Sequence, residues 1–145
     1  MKSYRNLASI DAIKLLNLTS YPDQNGILTV LDNIELIPFK ICRVFTINAE
    51  KNSIRGRHAH KTCSQLLISV CGDIEVFCDD GFNKSKYVLD RANLGLLIPP
   101  GIWAQETYKK DGSTLIVFCD LPYDIDDYIY NIENLRTLKQ DDNDK

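Results

Sequence analysis

"RGRHAHK", residues 55–61, contains both histidines of the chain, His58 and His60, with Arg55, Arg57 and Lys61 around them. Residues i and i+2 of a strand point to the same side, so an extended segment here sends His58 and His60 into one interior. Arg57, Ala59 and Lys61 then face away. Arg55 joins that far side unless Gly56 bends the strand, as glycine near a strand start often does. Histidine titrates nearest neutral pH and is the commonest metal ligand. Two on one face hold a metal, move a proton, or sit as polar core, and buried rings need partners in every case.

Outward from this segment, strand signals dominate. Upstream, "IKLLNLT" (13–19) and "GILTVLDN" (26–33) are short apolar runs split by the turn residues "YPDQNG". "KICRVFTI" (40–47) is rich in β-branched and aromatic side chains. Downstream come "CSQLLISV" (63–70), "IEVFC" (74–78), the hairpin signal "DDGF" (79–82) and "KYVLD" (86–90). "LGLLI" (94–98) runs into Pro-Pro-Gly, and "STLIVFC" (113–119) is a buried strand. Short strands at regular spacing predict an all-β sandwich or barrel. One segment differs: "DIDDYIYNIENLRTL" (124–138) places apolar residues at 125, 128 or 129, 132 and 135, a helical period. Asp124, Asp126 and Asp127 sit where a helix dipole favours negative charge. A short C-terminal helix over 124–138 is expected, followed by a polar, frayed tail, "KQDDNDK" (139–145). No repeat or linker interrupts residues 1–138, which read as one domain.

With 145 residues and 44% apolar content the chain can build a single substantial core. A net charge of −3 is opposite to the basic footprint of a general nucleic-acid binder, so no nucleic-acid partner is expected. No run approaches the roughly 18 apolar residues of a membrane span. "MKSYRNLASIDAIKLL" is interrupted by Arg5, Asp11 and Lys14, so no secretory signal is expected. Cys42, Cys63, Cys71, Cys78 and Cys119 form an odd set without a CxxC pair. That suits reduced thiols in a cytoplasm better than a disulfide framework or a zinc knuckle.

The arrangement resembles the cupin fold, a double-stranded β-helix or jelly-roll barrel. Its first motif runs HxH, Glu, Gly; here His58-x-His60 is followed after four residues by Gln65 and after six more by Gly72. Its second motif runs Gly, PxG, His; here Gly95 leads to Pro99-Pro100-Gly101 and then to Ala104. Gln65 thus replaces the carboxylate ligand, and Ala104 the third imidazole. Transition metals take at least three protein ligands even in open catalytic sites, so no metal is expected unless an Asp, Glu or Cys from elsewhere completes the set. Without metal, two imidazoles in one interior form an acid/base pair. Charging one disfavours charging the other, which keeps at least one neutral near pH 7.

A narrower resemblance is to the nucleotide-sugar 3,4-ketoisomerases, the FdtA/QdtA and WxcM-like cupins. It rests on "CRVFTI" (42–47), "RGRHAHK" (55–61), "QLLISVCGDIEVFCDDG" (65–81), "LDRANLGLLIPPGIW" (89–103) and "LIVFCDLPYDIDDYI" (115–129). The resemblance implies a cytoplasmic, homodimeric isomerase that binds a dTDP-linked 4-keto-6-deoxyhexose. It would move the carbonyl from C4 to C3 through an enediol(ate), with no metal or nucleotide cofactor, in a deoxysugar pathway. His60 is then the expected carbon base, His58 its partner or the oxygen shuttle, and Arg55 the electrostatic support. Arg43, Gln65, Trp103 and Arg91 are candidate contacts to sugar, diphosphate or thymine. Their plainer roles are a salt bridge for Arg43, core packing for Trp103 and a solvent-facing loop for Arg91. Relatives commonly carry a tyrosine, able to donate a proton, just after "RV". This chain has Phe45 and Thr46, so either Thr46 with a water, or another tyrosine such as Tyr108, is expected to substitute, or the enzyme is slower. Tyr123 and Tyr128 are expected to pack or to meet a second subunit, and Ala104 to lie near the sugar. The alternatives are another nucleotide-sugar cupin activity, such as 3,5-epimerisation, or a non-catalytic or metal-binding cupin.

Overall fold

The computed structural model describes residues 6–32 and 36–144; residues 1–5, Asn33 of the 26–33 run and Lys145 of the tail lie outside them. The first strands are β1 (Lys14–Asn17), β2 (Thr19–Asp23), β3 (Gly26–Val30), β4 (Arg43–Ala49), β5 (Ile54–His60) and β6 (Gln65–Cys71). Then come β7 (Ile74–Asp79), β8 (Lys84–Leu89), β9 (Leu94–Ile98), β10 (Trp103–Tyr108), β11 (Ser113–Cys119), β12 (Tyr128–Ile129) and the helix α1 (Ile132–Asn143). They form two five-stranded sheets, β1-β9-β6-β11-β4 and β12-β5-β10-β7-β8, and the separate hairpin β2-β3. This is the all-β jelly-roll barrel with a C-terminal helix that the strand spacing and the cupin motifs predicted. Among the described residues no helix is long and apolar enough to cross a membrane.

Alternation builds the interior. On β11, Ser113, Leu115, Val117 and Cys119 are buried while their neighbours are partly exposed. Leu115 and Val117 meet Ile74, Val76 and Cys78 of β7 and Leu96 of β9 in the main core. Each such aliphatic side chain contributes about 1.5–3 kcal/mol on burial. β10 was not anticipated. Its interior side carries Ala104, Glu106 and Tyr108, so "WAQETY" lacks the apolar alternation that marks a strand.

The segment expected to be helical over 124–138 is divided. Ile125–Asp127 form one turn of 3₁₀ helix, with the Asp124 side chain accepting from the Asp126 backbone N–H. Tyr128 and Ile129 then pair with His60 and Ala59 of β5. Only after Asn131, whose side chain caps the Glu133 N–H at 2.8 Å, does α1 begin. Its Leu135, with Ile132 and Leu138, covers Ala59, Ile129 and Trp103 on the outer side of the second sheet. The helix also runs through the segment expected to fray. Lys139 is buried and its Nζ donates to the backbone oxygens of Ala8 (2.6 Å) and Asp80 (2.7 Å), tying α1 to the segment before β1 and to the β7–β8 turn.

Candidate active site

The site begins with a bulge in β5. Arg55 lies opposite Glu106, Gly56 opposite Gln105 and His58 opposite Ala104, which leaves Arg57 as an extra residue. Gly56 and Arg57 both take positive φ, +80° and +62°. The inserted residue resets the alternation. Arg55 therefore falls on the cavity side of β5 with His58 and His60, its side chain exposed at the mouth, while Arg57 points outward to Gln105 Oε1 at 3.2 Å. A Cβ on Gly56 would lie 2.4 Å from Glu106 Oε2 and 3.0 Å from the Ala104 carbonyl oxygen. Gly56→Ala is accordingly expected to lower stability by about 1–3 kcal/mol, measured by urea unfolding.

The bulge opens on a cavity of about 230 Å³ between the sheets. Phe45, Ile47, Leu115 and Val117 form its apolar wall; Arg43, Arg55, His58, Gln65, Glu106 and Tyr128 bring polar groups to it. Burial, then His60 and Arg43, push the His58 pKa down to about 4, against a hydrogen bond to the Gly56 carbonyl. His58 is therefore neutral at neutral pH. Burial pushes Glu106 the other way, up to about 7, although its own backbone N–H and Arg55 favour the carboxylate. Arg43 lies over the Phe45 ring at 4.7 Å and the Tyr123 ring at 5.2 Å. Gln65 lines the cavity, and its amide donates to the Cys119 thiol (3.5 Å) rather than to either histidine.

His60 lies behind His58, with ring centroids 5.1 Å apart and nearly perpendicular. Tyr128 packs on both rings, at 4.8 and 4.6 Å. His60 is only 7% exposed, and its Nδ1 meets Asp127 Oδ2 at 2.9 Å. The same carboxylate accepts from the backbone N–H of Thr62 (2.8 Å), the Thr62 hydroxyl and the Cys63 N–H (3.3 Å). Burial alone would raise the Asp127 pKa, but these bonds and His60 outweigh it and hold the group below the usual carboxylate value. Asp127 selects the tautomer with its proton on Nδ1, which leaves Nε2 as the other ring nitrogen, a buried atom with no protein partner.

His60, Cys63 and Asp127 are also the one group of ligand-type side chains found close together among the described residues, with donor atoms within 4.8 Å. They fit a metal poorly. Both Asp127 oxygens already accept from backbone and side-chain donors, so the cluster is satisfied as a hydrogen-bond network that fixes His60. At the cupin ligand positions, Gln65 is turned to Cys119, and Ala104 offers a methyl group beside His58.

Of the residues singled out in the sequence, the structure brings Arg43, Arg55, His58 and Gln65 to the cavity and places His60 behind it. Four others are not on it. Thr46 is exposed on the outer side of β4, because the inward positions are Arg43, Phe45 and Ile47. Trp103 also points outward, one residue from inward Ala104; it packs under α1 and donates to the Tyr130 carbonyl at 3.0 Å. Arg91 is exposed in the β8–β9 loop and pairs with its neighbour Asp90 at 3.3 Å. Tyr108 is fully buried next to Glu106, and burial raises its pKa. Glu106, Asp127 and Tyr128 were not expected at the site. The "DIDDYI" motif held two of them but read as the first turn of a helix.

Residues 11–140 match the family model described as FdtA: WxcM-like, C-terminal. The TDP-4-oxo-6-deoxy-alpha-D-glucose-3,4-oxoisomerase of Aneurinibacillus thermoaerophilus is 31% identical over 124 residues, spanning 85% of this chain and 89% of that protein. Among solved structures, a 3,4-ketoisomerase from Helicobacter canadensis superposes with a TM-score of 0.84 at 32% identity, covering 89% of this chain and 98% of its own. QdtA, a sugar 3,4-ketoisomerase from Thermoanaerobacterium thermosaccharolyticum solved with TDP, gives 0.85 at 28% identity, covering 92% and 98%.

Proposed function

The chain belongs to the FdtA family (WxcM-like, C-terminal), and from that premise we propose that it is a TDP-sugar 3,4-ketoisomerase. It converts TDP-4-keto-6-deoxyglucose to the 3-keto sugar. One observation carries this reading: a single cavity joins a neutral imidazole, two guanidiniums and a carboxyl, on the scaffold of proteins with that activity. Its volume, about 230 Å³, lies below the roughly 300–1,000 Å³ of pockets that enclose a drug-sized ligand. The hexose ring enters, and the nucleotide stays at the mouth. Arg43 serves the sugar or its diphosphate.

The reaction needs a base for the proton on C3, a stabiliser for the enediolate, and a return of the proton at C4. Geometry favours His58 over His60 as that base, the reverse of the order expected from the sequence. His58 lines the cavity and is neutral, whereas His60 lies behind it and is held by Asp127. The Asp127 carboxylate offsets the cation that forms on His58, and Arg55 faces the enediolate oxygens.

The protein works as a homodimer. A two-stranded hairpin is marginal on its own in water, and β2–β3 exposes Tyr21, Ile27 and Leu28, which a second copy would cover. Five free cysteines, three of them buried, support a reducing cytoplasmic setting.

The test is incubation with TDP-4-keto-6-deoxyglucose in D₂O, followed by NMR. A 3-keto product is expected. Deuterium at C3 and C5 with the ketone still at C4 would instead establish an epimerase.

A further inference from the structure

Two protons change owners in this isomerisation, one on carbon and one on oxygen, and His58 accounts for the first. We propose that Glu106 is a catalytic residue for the second: its carboxyl, on the cavity wall opposite Arg55, carries the oxygen-bound proton from O3 to O4. This rests on the ketoisomerase reading.

Placement singles Glu106 out. It stands on β10 directly across from Arg55, its side chain fills the space that Gly56 leaves by lacking a Cβ, and it lines the same cavity as His58. The residue is 8% exposed, in a strand position whose neighbours on the same side are Ala104 and Tyr108. Burying a carboxyl there costs stability unless the group is used or neutralised. The other polar groups on the wall suit the role less well. Arg43 and Arg55 cannot give up a proton at working pH, the Tyr128 hydroxyl is engaged by the Arg43 guanidinium, and the Gln65 amide is turned to Cys119.

A protonated carboxyl has a donor oxygen beside an acceptor oxygen, matched to the vicinal O3 and O4 of the sugar. As His58 takes the C3 proton, the C3–H electron pair forms C3=C4. The carbonyl pair moves to O4, where Arg55 holds the enolate charge, and O4 takes the proton of Glu106 in a later, separate step. The O3–H proton then passes to the other Glu106 oxygen while its bonding pair forms C3=O. The C3=C4 pair takes the proton from the His58 imidazolium at C4. Glu106 ends protonated and His58 neutral, as both began.

The ionisable groups facing Glu106 are Arg55 from β5, Cys78 from β7 and Tyr108 on its own strand. Burial dominates among them and keeps a protonated fraction at neutral pH, which is lost as pH rises through about 7.

The experiment compares wild type with Glu106→Gln in D₂O, reading by NMR both the 3-keto product and deuterium at C3 of recovered substrate. The variant is expected to form product about 30- to 100-fold more slowly, near the low end of acid–base contributions. Its exchange at C3 should stay within a few-fold of wild type, since His58 still removes and returns that proton. The wild-type fall in kcat above neutral pH should be missing. Glu106→Met, equally long and at ease in an apolar setting, should show the same split if the amide perturbs folding. Product at a rate within three-fold of wild type in either variant overturns the shuttle. So does parallel loss of product and exchange, which would mean that Glu106 only holds Arg55. No product from wild type overturns the ketoisomerase reading, and the shuttle with it.

Discussion

His58→Asn is expected to lower kcat for the 3-keto product by about 10²–10⁴-fold with little change in KM. Asparagine keeps a side-chain N–H that can meet the Gly56 carbonyl, so the β5 bulge has no reason to move. What disappears is the one neutral imidazole among the described residues that line the cavity. Deuterium exchange at C3 should vanish together with product, unlike in Glu106→Gln, where the two separate. Normal exchange in His58→Asn with none in His60→Asn would return the carbon base to His60. Stability should respond to acid in a linked way. The folded-state pKa of His58, about 4, lies below its ordinary 6.5, so the unfolded chain binds more protons between these values. His58 therefore costs stability progressively as pH falls through that window, and the asparagine variant escapes the loss. Urea midpoints of the two proteins should diverge below pH 6.5 and run parallel again below about pH 4.

The parts of this fold that were legible in sequence are those where packing leaves one choice. "LGLLI" and "STLIVFC" became β9 and β11 at the predicted residues, because both faces of these strands pack, one on the main core and the other against a second apolar cluster, so they read as nearly unbroken apolar runs. The bulge was legible too, since Gly56 marks the place where Arg55 could be turned inward. Side assignment elsewhere depended on parity, which a single misplaced residue inverts. Thr46 and Trp103 each lie one position from an inward residue, Phe45 and Ala104, and so neither reaches the cavity. Glu106 was invisible for a related reason: it stands where an apolar residue would have revealed β10. The segment after Asp124 was ambiguous in a different way. Ile129, Ile132 and Leu135 bury against one patch around Ala59 and Trp103, so a 3₁₀ turn, a two-residue strand and a helix repeat the spacing of one helix. Asp127 was thereby assigned to a helix dipole instead of to His60, which no local signal could connect across 67 positions.

Asp127→Asn tests that connection and should affect both folding and catalysis. The carboxylate accepts on both oxygens, from His60 and Cys63 on one and from Thr62 on the other. An amide has one accepting and one donating end, so either orientation sets its NH₂ group against a backbone N–H, of Thr62 or of Cys63. A buried donor left unpaired costs about 1–3 kcal/mol, which should appear as a lower thermal midpoint with two-state unfolding retained. The catalytic effect is expected to be larger, about 10²–10³-fold in kcat. With no anion behind His60, the charge formed on His58 loses the carboxylate that offsets it from that side. An NH₂ group facing Nδ1 would also move the ring proton to Nε2 and remove the lone pair kept there. Because Asp127 acts through His60, the two effects should not add. In a His60→Asn background, Asp127→Asn should cost less than about three-fold further, since residues that act as a unit are lost together. Full additivity in that double-mutant cycle would mean that Asp127 meets the reaction by another route, such as the loop of Thr62 and Cys63 that it also holds.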